Sequence, residues 1–184
     1  MIDILIVAVV LVYAVLGYFS GLVRRVIGLV GLFAGFGLAT AMTPLASNVW
    51  MQAYPTWSIP DARMLIYIVI LVFFIVVVEG FAAAYRSTLQ ISFVLFDKAS
   101  GVALGALGAL LAVTVALYLL FAASLPTGSA PDGAQIQVNT AIKTNSALAP
   151  RLFNSVGGFA VIFFRPVTPV DPSAFFNGQE SKFQ

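Results

Sequence analysis

The chain has 184 residues, 61% hydrophobic and 9% charged, with a formal net charge of +2 and a mean hydropathy of +1.03. That composition lies outside the range of water-soluble domains, and the few scattered Lys and Arg leave no nucleic-acid footprint. The absence of cysteine and histidine excludes disulfides, thiolate nucleophiles, Cys/His zinc sites, imidazole bases and haem-binding histidines.

Apolar runs cover residues 4–19, 26–42, 64–84 and 99–125. A bilayer core about 30 Å thick needs roughly 20 apolar helical residues to cross it, and the backbone there must satisfy its own hydrogen bonds. Each run therefore predicts a transmembrane helix. The first follows Met1-Ile2-Asp3 with no basic segment before it and no small-x-small cleavage site after it, so it reads as retained. Residues 3–42 as one helix would be about 60 Å long, twice what a bilayer offers. A tight turn is expected near Ser20-Gly21, with Arg24 and Arg25 in the first turn of the second helix, at the headgroups.

Residues 43–63 hold Pro44, Pro55 and Pro60 with Trp50, Tyr54 and Trp57. This reads as a polar connection lying along the interface. In the third helix Glu79 is the one acidic residue deep in an apolar run. An intramembrane carboxylate is a candidate for a proton or ion path. The competing reading pairs it with Arg86, Arg24 or Arg25, and is preferred because a pump would show more than one such group. Residues 86–98 read as an interfacial linker, with Asp97 as N-cap of the fourth helix, accepting from N–H groups near Ser100.

Glycines recur at four-residue spacing, as Gly17/Gly21, Gly31/Gly35 and Gly101/Gly105, with Gly108 nearby. Small residues let helices approach closely in lipid, either within one subunit or between copies. Arg24, Arg25, Arg86 and Lys98 lie in the first and third connections. The positive-inside rule then puts both termini outside.

From Pro126 the composition turns to Pro, Gly, Ser, Thr, Asn and Asp. The expected organisation is a four-helix transmembrane domain over residues 1–125, an extracytoplasmic linker and amphipathic helix over 126–165, and a disordered tail over 166–184. Leu148, Leu152, Phe153, Val156, Phe159, Ala160 and Phe163 give that helix one apolar face, weakened at Gly157-Gly158. It is expected to lie on the outer membrane face or to pack on the bundle. Arg151 and Arg165 bracket an interval too short for a typical span.

Several of these segments carry a family resemblance. Ile2-Asp3-Ile4 before an apolar helix, and Gly17-Tyr18-Phe19-Ser20-Gly21-Leu22-Val23-Arg24 at the first turn, resemble the colicin V production protein (CvpA) family. So does Phe96-Asp97-Lys98-Ala99-Ser100-Gly101-Val102-Ala103-Leu104-Gly105-Ala106-Leu107-Gly108, although its last glycine comes one residue early. The resemblance covers roughly residues 1–160, including an extracytoplasmic tail with Ser146. Arg25 stands where the family often has an acidic residue, and Leu107 where it often has arginine. The resemblance implies a multi-pass bacterial inner-membrane protein supporting colicin V production or export, or envelope integrity, and it brings no catalytic mechanism. Some relatives carry a serine-protease domain after the membrane part; this chain is expected to be the membrane module alone.

No cofactor, metal site or catalytic residue is expected, and the chain reads as non-enzymatic. A histidine-free chain with one deep carboxylate cannot assemble a Ser-His-Asp site or a pair of intramembrane aspartates. Expected partners are membrane lipid, with either a second copy or an envelope or secretion protein. The alternative is a small oligomeric transporter or channel with Glu79 in its path.

Overall fold

The structure is a computed structural model that describes residues 2–84, 94–126, 131 and 133–179. Arg86, and with it most of the linker expected over 86–98, lies outside the described residues. Three long apolar helices dominate: α1 (Ile2–Ala53), α2 (Ile59–Ala84) and α3 (Val94–Ala123). All three are long and apolar enough to cross a membrane.

α1 is two helices joined at one residue. Gly21 has φ +76° and ψ 178°, a backbone conformation that only glycine adopts without strain. The packing on either side of it shows a reversal. In the first arm, residues 2–20, Gly17 lies against Gly101 and Tyr13 against Gly105, so this arm runs antiparallel to α3. In the second arm, residues 22–53, Leu29 lies against Gly108 while Leu32 and Phe36 join a cluster with Leu111, Val115 and Leu119. This arm runs parallel to α3. α2 then returns along it, with Val78 on Gly31, Leu71 near Gly35 and Tyr67 Oη 3.3 Å from Thr40 Oγ1. The four legs alternate in direction. Gly21, Glu79 and Asp97 fall at one end, here the hairpin end; Asp3, Trp50 and Ser124 fall at the other, the terminal end.

Three sequence expectations change here. Helix continues past Met42 to Ala53, through Pro44 and the segment read as an interfacial connection. Pro44 removes the backbone donor that would serve Thr40 O, while the buried Thr40 and Thr43 hydroxyls are satisfied by donating back to Phe36 O at 2.9 Å and Ala39 O at 2.6 Å. Trp50 stacks near Tyr54 and Trp57 just beyond, with centroids 4.7 and 5.6 Å away. The stretch after Pro126, read as a linker, contains helix α4 (Gly133–Lys143). Its buried Gln135 donates to Ala123 O, a free carbonyl at the end of α3, and to Asn177 Oδ1, both at 3.1 Å.

The third change concerns residues 166–179, read as disordered but folded in the structure. α7 (Pro172–Phe176) starts with Asp171 accepting from Ala174 N at 3.0 Å. It buries Phe175 and Phe176 against Tyr67, and Phe175 O accepts from the buried Arg63 guanidinium. Two aromatic side chains in the core outweigh a local composition that suggested disorder.

The amphipathic helix is present as a continuous series: α5 (Leu148–Leu152), a π-helical turn over Phe153–Gly157 and α6 (Gly158–Phe164). It meets α4 at 71° and packs on the bundle. Ala149 clusters with Ile6 and Leu117, and Phe164 with Phe33 and Phe36. Phe159 and Ile162 face outward at 62% and 74% exposure.

Candidate functional site

At the hairpin end the legs bring together the charged residues singled out by the sequence. Gly21 ends the first arm, so the next residues, Arg24 and Arg25, sit in the first turns of the second arm. α2 ends beside them and presents Glu79. Arg24 Nη2 lies 3.1 Å from Glu79 Oε2, and Arg25 Nη1 lies 3.1 Å from Glu79 Oε1. Arg24 Nη2 also donates to Glu79 O at 3.3 Å. One carboxylate therefore holds two guanidiniums. Arg25 is the more deeply placed, 3% exposed against 21% for Arg24. Its Nε donates to Ser20 Oγ at 3.0 Å and its charge lies 5.4 Å from the Tyr13 ring centre.

Asp97 does a different job from the one its local sequence suggests. α3 begins three residues earlier, at Val94, so Asp97 is inside the first turn rather than at its cap. Its Oδ1 instead accepts from Leu22 N at 2.7 Å. Leu22 N is the first free donor of the second arm, and the residue before it is glycine, which has no side chain to cap with. Asp97 caps that helix from across the bundle, and its charge suits the positive helix end. The carboxylate lies so close to Gly21 that a Cβ there would collide with it. Lys98 beside it reaches over the Tyr18 ring, 4.9 Å from its centre.

The glycines bring the legs close enough for these contacts. Gly17, Gly21 and Gly101 are buried where backbone meets backbone; a Cβ on Gly101 would strike Gly17 O, and one on Gly105 would strike Tyr13 O. Gly108 receives Leu29.

Inside the legs, above the charged layer, lies a cavity of about 190 Å³. Arg25, Glu79 and Tyr13 border it at the hairpin end, and Phe36, Ala112 and Ala116 border it further along the legs. Its walls are otherwise aliphatic and glycine.

A second carboxylate, Asp3, was not among the expected site residues. It accepts from Ser146 Oγ, from Ala147 N at 2.9 Å and from Leu148 N at 3.2 Å. Ser146 Oγ in turn accepts from Ala149 N at 3.0 Å. Asp3 thereby caps the tail helix at the terminal end as Asp97 caps the second arm at the hairpin end. The signal was partial: Asp3 belongs to the opening motif and Ser146 to the tail motif, but nothing local links positions so far apart in the chain.

Among the described residues, no group of three or more His, Cys, Asp and Glu is placed to hold a metal ion. No curated protein and no solved structure matches the chain. Residues 2–158 match the family described as Colicin V production protein. That span runs from the residue before the Asp3 clasp, through the Gly21 hairpin, the Glu79 and Asp97 contacts and the glycine face of α3, into the tail helix. The chain belongs to the colicin V production protein family.

Proposed function

We propose that this chain is a non-enzymatic component of the bacterial inner membrane that supports colicin V production or export, or envelope integrity, through contacts with partner proteins. One observation carries the reading: Glu79, the deep carboxylate a transport path would use, is held by both hairpin arginines at 3.1 Å. A group so held fixes the turn of the hairpin against α2. The family membership supports the biological setting, and the positive-inside count over Arg24, Arg25, Arg86 and Lys98 supports an orientation with both termini outside.

A second reading, a small oligomeric transporter or channel, is favoured by a different observation. Glu79 and Tyr13 border the cavity between the legs, so the carboxylate faces open space as well as its arginines. Purified protein in liposomes separates the two. The scaffold reading expects no proton or ion flux at any protein density, and crosslinking in native membranes that recovers one reproducible partner. Flux that disappears in Glu79→Gln would replace it with the transport reading.

A further inference from the structure

The charges at the hairpin end of the cavity do not cancel. Arg24 and Arg25 contribute two positive charges and Glu79 one negative. Asp97 and Lys98, in the same layer, offset one another, so among the described residues the local balance is one positive charge. The donors are not all used either. Arg25 Nη2 and Arg24 Nε are buried and, among the described residues, have no hydrogen-bond partner. A buried guanidinium donor left unpaired is costly, and more so where the surroundings are apolar. Arg25, 3% exposed, is itself a wall of the cavity.

The rest of the cavity is apolar and long. Arg25 and Phe36 are both walls, eleven residues apart on one helix, or about 16 Å at 1.5 Å per residue. An apolar cavity of roughly 150 Å³ accepts benzene, so 190 Å³ admits a larger hydrocarbon segment. Gly28, Gly105 and Gly108 are among its walls, each giving room where a side chain would fill it.

We propose that this cavity binds a single-chain anionic amphiphile, its hydrocarbon tail between the legs and its headgroup on Arg25. Two sources share that chemistry, a fatty acid and the phosphate monoester lysophosphatidate. The charge balance selects the carboxylate. It brings one negative charge to a site with one positive charge in excess, whereas a phosphate monoester brings about −1.5 to −2 and would leave excess negative charge beside Glu79. The site lies beyond the scaffold reading and does not depend on it.

The protein, in nanodiscs of zwitterionic phosphatidylcholine, is incubated with a palmitate analogue carrying a photoreactive diazirine midway along its chain, and the labelled residues are mapped by mass spectrometry. Label should concentrate on the segments holding Phe36 and Ala112. Palmitate should compete about tenfold better than cetyl alcohol, the value of one charge-assisted hydrogen bond. Glu79→Gln should strengthen competition by palmitate and Arg25→Gln weaken it, opposite effects that damage to one ion pair would not produce. Since either variant can fail to fold, Ala112→Phe serves as the second test: it fills the cavity without touching the charged layer and should abolish labelling. Label confined to lipid-facing Val72 and Phe73, equal competition by the alcohol, or undiminished labelling of folded Ala112→Phe would each overturn the proposal. Stronger competition by lysophosphatidate than by palmitate would overturn the carboxylate assignment.

Discussion

A carboxylate that accepts from Leu22 N at 2.7 Å serves a helix start whose own preceding residue is glycine. Asparagine at position 97 keeps an acceptor oxygen, so Asp97→Asn should cost little, while Asp97→Ala leaves Leu22 N unserved and should cost about 1 kcal/mol. Denaturation in detergent measures both, and identical melting of Ala, Asn and parent would refute the cap. Gly21→Ala should be worse than either, because it meets both the positive φ and the Asp97 carboxylate. Glu79→Gln strands parts of two guanidiniums, one of them 3% exposed, and should destabilise the fold by roughly 3 kcal/mol. At this scale the sequence was informative about residue type and, for Asp97, silent about partner. Asp97 was legible as a capping residue, but its helix lies 75 positions away in the chain, beyond the reach of local pattern. Glu79 was legible as a paired carboxylate, and Arg24 and Arg25 were among its named partners.

The helical hairpin of α1 could be read before any coordinates, because residues 3–42 in one piece would overshoot the bilayer and Ser20-Gly21 offered the place to turn. Its end could not. Pro44 and the prolines beyond it argue locally for a connection, yet packing carries the helix to Ala53. The same contest was misread in α4 and α7, where Pro- and Gly-rich composition hid short helices that the bundle fixes through Gln135, Phe175 and Phe176. The glycine spacing in α3, by contrast, corresponds to a face pressed onto the first arm. Leucine at Gly101 or Gly105 must push that arm away and should destabilise the protein by about 2 kcal/mol or more. Gly80 is the control: among the described residues, no atom beyond its own turn of helix stands within 4 Å of where its Cβ would be, so Gly80→Leu should melt within about 0.5 kcal/mol of the parent. Equal effects at all three positions would show that the glycine face is not a packing surface.

With four alternating legs and a tail clasped to Asp3, the start of the chain and residues 146–148 occupy the same end of the molecule, opposite the hairpin arginines. Reporters fused before Met1 and after Gln184 should therefore agree with one another. The positive-inside count adds that a reporter active only in the cytoplasm should be silent at both; a bright signal after Gln184 would overturn the orientation. The clasp also has a consequence in time. The groups that Asp3 holds leave the ribosome 143 to 145 positions after it. At ordinary elongation speeds that is a wait of roughly ten seconds. Leu22 N waits in the same way for Asp97, 75 positions on. The α1 hairpin is therefore synthesised with both carboxylate contacts unmade, and the tail helix, made later, closes over the start of α1.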